Sequence, residues 1–228
     1  MSRECVFCGG SANSREHVWP QWVSRHFAAP FTLVDLSRGV PPRSMRILDA
    51  QVRRVCQGCN GGWMSQLEAQ AKPLLEPMFD GKPMTLGADE QAVLAAWTVK
   101  TLMMLDLWRP DPKAFSPAHH QQLRSGTPPS NAAVLLAFVD GPTRNAFYAY
   151  SVLDQQPTEL HRLTMNVGRF VGQVRLLAAG AAVQYGSVAK RSTVQVWPLG
   201  TDPVDWPPPE RLWDGSVSHL ATPGMAYD

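Results

Sequence analysis

The sequence predicts an α+β chain whose first third is organised around a metal site. Two observations carry this. All four cysteines of the 228 residues fall in two matched pairs, Cys5-Val-Phe-Cys8 and Cys56-Gln-Gly-Cys59. Further along, a long apolar helical stretch is followed by strand-like runs without regular helix–strand alternation, the pattern of an α+β fold.

A CxxC turn presents two sulfurs to one ion, and two such turns complete a tetrahedral zinc shell with no open position. The zinc expected here is therefore structural. The loop between the pairs, Gly9 to Val55, is much longer than the ~15–20 residues of a simple zinc ribbon, so folded structure must occupy it. Two disulfides are the competing reading. The metal-type spacing and the lack of a signal-peptide pattern argue against them and lead us to expect a cytoplasmic protein. Neither pair follows an apolar strand and opens a helix, as a thioredoxin-type motif would.

Within the first part, Met45–Val55 is expected to be extended, with Ile47, Val52 and Val55 as its apolar positions. After Cys59, the spacing of Trp63, Leu67, Gln70, Ala71 and Leu74 predicts a helix, which Pro73 and Pro77 should limit or bend. Gly81, Pro83 and Gly87 then mark a linker. This divides the chain into residues 1–75 and 76–228.

In the second part Asp89 is the expected N-cap of a helix running to about Trp108 and ended by Arg109-Pro110. Apolar residues surround this helix on every side, which predicts a buried central helix. Lys100 and Asp106 interrupt the stretch, so it is not a membrane span. A short helix is expected over Pro117–Arg124. Strands are expected at Ala132–Val139, Ala146–Val152, Leu160–Val167, Phe170–Leu177 and Thr193–Pro198. Asp140-Gly141-Pro142 predicts that the first two strands form a hairpin, and Trp206-Pro207-Pro208-Pro209 predicts an extended tail.

The net charge of +2 is unevenly spread. Residues 1–72 hold nine basic against five acidic side chains, whereas residues 73–228 hold twelve against fourteen. The basic excess of the first part is arginine, whose planar fork suits phosphate oxygens. Arg15, Arg53 and Arg54 are the candidates for contact with a nucleic-acid backbone.

The order of motifs, CxxC, then Glu16-His17-Val18-Trp19-Pro20, then CxxC followed at once by Asn60, resembles the HNH endonuclease family. That family is built on a ββα-metal finger, often braced by a four-cysteine zinc. The resemblance covers about the first 70 residues; residues 76–228 match no family. It implies a DNA endonuclease in which His17 is the general base, a role suited to an imidazole with a reference pKa near 6.5. It further implies that Asn60 and Glu16 are ligands of one hard divalent ion, Mg²⁺ or Mn²⁺. Products with 5′-phosphate and 3′-hydroxyl ends would follow.

The sequence departs from the family's pattern after Asn60. Trp63, Met64 and Ser65 stand where a further His or Asn ligand is usual, and Glu68 lies two helical turns along. Successive strand residues also face opposite ways, so Glu16 and His17 share a site only if the backbone is irregular there. Trp19, Trp22 and Trp63 are expected to form the finger's small core, His26 to be structural or exposed, and His119 and His120 to be solvated. The alternative reading is a non-catalytic zinc module that binds nucleic acid or a protein partner. The second part is then expected to bind DNA, a regulator or another copy of the chain, with no membrane partner.

Overall fold

The computed structural model describes residues 3–27, 32–35, 43–46, 49–109, 114–140, 145–152, 159–181 and 191–213. In chain order the elements begin with β1 (Glu16–His17), α1 (Gln21–His26), β2 (Thr32–Asp35), β3 (Arg43–Arg46) and β4 (Gln51–Val52). The short helical turn α2 (Gln57–Cys59), a π-helical turn over Asn60–Met64, α3 (Ser65–Phe79) and β5 (Met84–Leu86) follow. The remainder comprises α4 (Ala88–Trp108), α5 (Pro117–Arg124), β6 (Ala132–Asp140), β7 (Asn145–Val152), β8 (Glu159–Val167), β9 (Phe170–Leu177), β10 (Thr193–Trp197), β11 (Val204–Trp206) and β12 (Leu212–Trp213). Helices and strands are mixed without regular alternation, an α+β architecture.

Every residue of α4 from Leu94 to Asp106 is buried, as its all-round apolar composition requires. The N-cap is Gly87, two residues before the expected Asp89. Asp89 and Glu90 instead occupy the first turn, where carboxylates complement the positive end of the helix dipole. Buried Gln91 fixes this end by donating to the carbonyls of Leu86 (3.0 Å) and Asp202 (3.2 Å). At the other end, Asp106 accepts hydrogen bonds from the N–H groups of Ala114 (2.9 Å) and Phe115 (3.3 Å).

The main sheet runs β10-β6-β9-β8-β7-β2-β3, with β12 added beside β6. The five expected strands of the second part are all present, but the expected β6–β7 hairpin is not. β6 pairs antiparallel with β9 and β10, while β7 pairs with β8. The tight hairpin lies between β8 and β9. There Gly168 (φ +56°) and Arg169 close a two-residue turn, the kind of link that matches strand twist. Wholly buried β9 takes the place beside β6 that the Asp140-Gly141-Pro142 signal had assigned to β7; Gly141 and Pro142 lie outside the described residues. The same is true of Ile47 in the expected Met45–Val55 extended stretch.

The inter-cysteine loop completes this sheet. β2 lies parallel to β7, from Thr32 opposite Asn145 to Asp35 opposite Tyr148, and β3 pairs antiparallel with β2. β5 and β11 form a separate two-stranded ribbon. The expected linker therefore holds a strand, and the Trp206 segment is no tail. Trp206 is buried, with its ring 5.9 Å from those of both Phe138 and Phe170.

α3 continues to Phe79 through both Pro73 and Pro77. It packs along α4, with Ala71, Leu75, Met78 and Phe79 buried, so tertiary packing outweighs the local cost of the prolines. One cluster of buried side chains draws on residues on both sides of position 75. Trp19 and Trp22 do not form a separate small core: their rings lie 6.3 and 6.5 Å from that of Trp97 on α4. Among the described residues no helix is long and apolar enough to cross a membrane.

α4 packs on β6, β8, β9 and β10, and Gly172 of β9 allows the close approach. A Cβ there would lie 2.8 Å from Thr98 Cγ2 and 3.1 Å from Met165 Cε. Gly172→Val is therefore expected to lower stability by about 1–3 kcal/mol, through overpacking. Chemical denaturation measures this, and an unchanged midpoint would contradict the seating of α4 on β9.

Candidate functional site

The two knuckles are held together by the backbone on either side of them. Val6 N–H donates to the Arg54 carbonyl (3.0 Å) and Ser14 N–H to that of Val55 (3.1 Å). Asn13 Oδ1 accepts from Gln57 N–H (2.9 Å). Gly9, at φ +73°, makes the left-handed turn that closes the first knuckle, where Cys5 N–H reaches Gly10 O. Phe7, between the first two cysteines, sets its ring 5.0 Å from Trp63 and 5.5 Å from His120.

All four sulfurs lie within 4.8 Å of one another, Cys8 and Cys56 at 3.5 Å, and all four thiols are free. Sulfurs around a tetrahedral zinc, with Zn–S near 2.3 Å, stand about 3.8 Å apart. The cluster therefore fits one structural zinc or a similar ion. The N–H of Cys59 donates to Cys56 Sγ (3.3 Å) and is the main cause of a thiol pKa lowered to about 7. Burial pushes Cys59 the other way, up to about 12.

Beside the knuckles, β1 and β4 form a ribbon with Glu16 opposite Val52 and His17 opposite Gln51. The strands are only two residues long, and the chain bends at Val18-Trp19 directly after His17. As a result Glu16 is buried and His17 half-buried, yet both line one polar cavity of about 270 Å³ with Arg15, Arg25, Asn60 and Glu68. The structure thus brings together Glu16, His17, Asn60 and Arg15. Arg53 and Arg54 lie elsewhere. They line a cavity of about 460 Å³ with Arg3, Trp108 and Arg109, and among the described residues that line it none is acidic. Gln51 belongs to this second cavity and reaches His17 in the first.

The Gln51 amide nitrogen lies 3.1 Å from His17 Nε2, so Gln51 governs the tautomer of His17. An amide N–H can only donate, so Nε2 accepts here and a neutral His17 carries its proton on Nδ1. Asn60 Nδ2 donates to Ser14 Oγ (3.3 Å), and its backbone N–H caps onto the Cys56 carbonyl (3.0 Å). Glu16 faces Lys100 of α4. Lys100 Nζ lies 3.0 Å from Glu16 Oε1 and 2.6 Å from Glu68 Oε1. The lysine side chain is 0 % exposed, against 7 % for Glu16 and 22 % for Glu68. Burial by itself lowers the lysine pKa, but the two carboxylates outweigh it and raise the pKa, so Lys100 stays an ammonium.

This arrangement does not fit a divalent ion held by Glu16 and Asn60. The Glu16 carboxylate already neutralises a buried cation, which leaves Asn60 to offer a lone neutral amide oxygen. Among the described residues, the cysteines are the one group of three or more Cys, His, Asp or Glu donors close enough to share an ion. The site also includes residues that sequence reasoning missed. Lys100 left a signal, a charge inside an otherwise apolar helix. Gln51 and Arg109 become visible only through strand register and packing.

The other described histidines lie outside the cavity. His26 pairs with Asp80 (2.9 Å). His119 closes a capping box with Ser116 at the start of α5. His120 is buried rather than solvated; its Nδ1 donates to the Ser116 carbonyl (2.8 Å), and burial lowers its pKa to about 4. No protein-family model matches the chain, and no curated protein or solved structure matches it.

Two predictions follow from these geometries. Metal analysis of the purified chain should find about one zinc per chain and clearly less in Cys56→Ser; zinc retained in that variant would refute a four-cysteine site. Unfolded His120 takes up its proton near pH 6.5 and the folded one only near 4, so its contribution to stability is lost as pH falls between those values. The expected loss is about 3 kcal/mol. Denaturation across this window should show a shallower decline in His120→Leu, and parallel curves would contradict the assignment.

Proposed function

We propose that the chain hydrolyses phosphodiester bonds in nucleic acid, with DNA as the expected substrate, as an HNH-type nuclease on a zinc-braced finger. The observation that carries this reading is the single cavity beside the knuckles that gathers His17, Asn60, Arg15 and Arg25. The chain order of that region also supports it, since the β1–β4 ribbon is followed by α2 and α3 in the order of a ββα finger.

In this reading His17 takes a proton from the attacking water through Nε2, the nitrogen that Gln51 faces. Arg15 and Arg25, both exposed at the cavity, offer paired N–H donors to the phosphate oxygens, where negative charge grows as water attacks. Asn60 can donate to the same oxygens. The arginines of the second cavity, Arg53 and Arg54 among them, extend the basic surface along which a backbone can lie. The divalent ion implied by the resemblance has no step here, because Lys100 engages Glu16.

That engagement also favours a second reading, in which the same surface binds nucleic acid without cutting it. Incubating zinc-loaded protein with plasmid, in Mg²⁺, in Mn²⁺ or in neither, separates the two. Cutting that falls by about 100-fold or more in His17→Ala is the expected result for loss of a general base. No cutting under any condition, or equal cutting by the variant, sinks the hydrolase reading; plasmid binding without cutting would leave the non-catalytic one.

A further inference from the structure

We propose that the ammonium of Lys100 is the resident cation of the Glu16–Glu68 carboxylate pair, engaging the carboxylate that the HNH resemblance assigns to a divalent ion, so that this site takes up neither Mg²⁺ nor Mn²⁺. The comparison with the family's ion rests on the nuclease reading; the absence of metal uptake does not.

Glu16 comes from β1, Glu68 from α3 and Lys100 from the middle of α4, so three segments distant in sequence meet at one nitrogen. Both carboxylates line the His17 cavity, whereas the lysine approaches from the protein interior and is wholly buried. A hard cation shared by two carboxylates sits between their oxygens. Here that position is taken by Nζ, within 3.0 Å of one oxygen and 2.6 Å of the other. The lysine cannot swing out to vacate it, because every neighbour on α4 from Leu94 to Asp106 is buried with it.

The converse follows from the same geometry. Two carboxylates sharing a site, Glu16 buried and Glu68 half-buried, repel each other unless a countercharge stands between them. Replacing Lys100 by a neutral side chain of similar length leaves them facing an open polar cavity, where a divalent cation supplies the missing charge.

The test titrates Mn²⁺ into zinc-loaded full-length protein and reads free Mn²⁺ by electron paramagnetic resonance. Wild type is expected to leave the signal unchanged, while Lys100→Met removes about one Mn²⁺ per chain and Lys100→Met/Glu68→Gln does not. Uptake by wild type that Glu16→Gln abolishes overturns the proposal, and that pair decides it even if Lys100→Met fails to fold. A folded Lys100→Met that takes up no Mn²⁺ also overturns it. Absence of plasmid cutting would sink the hydrolase reading and leave these outcomes standing. Wild-type cutting that requires Mg²⁺ or Mn²⁺ would overturn the role of Lys100 and leave the hydrolase.

Discussion

The ion cluster of Lys100 with Glu16 and Glu68 is the contact on which the arrangement of this molecule depends. A charged lysine in the middle of the buried stretch of α4 costs several kcal/mol unless its hydrogen-bonding capacity is met. α4 supplies no partner of its own at that position. The two carboxylates come from β1 and α3, and their charges keep the lysine protonated. Removing one member of such a cluster leaves an uncompensated buried charge, whereas apolar replacement of all its members is often tolerated. Its value therefore lies in specificity: β1 and α3 must dock on α4 in one register, because any other register strands the charge.

The zinc knuckles complement this clamp. Phe7, Val55 and Met64 beside the cysteines join the common core, and a metal held by the thiolates can supply further folding free energy there. The aromatic residues of the region pack outward against the rest of the chain, Trp19 and Trp22 on Trp97, and Phe7 on His120. β2 and β3, from the loop between the knuckles, extend the sheet whose other strands come from residues 132–213. The cavity holding His17 thus has β1 as one wall, α1 as another and Asn60 with the start of α3 as a third, with α4 and its lysine behind them.

Much of the fold was legible because it rests on local chemistry. The helix over Pro117–Arg124 and the five strands of the second part follow from periodicity and from the turn residues between them. Strand pairing was not legible. Asp140-Gly141-Pro142 is a sound turn signal, but it carries no information about which strand occupies the space beside β6. The same limit explains α3, where Pro73 and Pro77 argued for a stop and burial against α4 carried the helix on to Phe79. His120 looked solvated in a polar helix, because its partner Phe7 is more than a hundred residues away.

What the sequence by itself determined is the metal cluster and the identity of the polar groups beside it. Two CxxC turns impose sulfur spacing locally, and Glu16, His17 and Asn60 sit a few residues from those turns or directly adjacent to them. What only the tertiary structure decided is the state of those groups. Glu16 reads as a ligand in the sequence and is an ion-pair partner in the fold, because the charge that claims it lies on α4, 84 positions further along the chain. Electrostatic and packing forces act through space, and a motif records only neighbours along the chain.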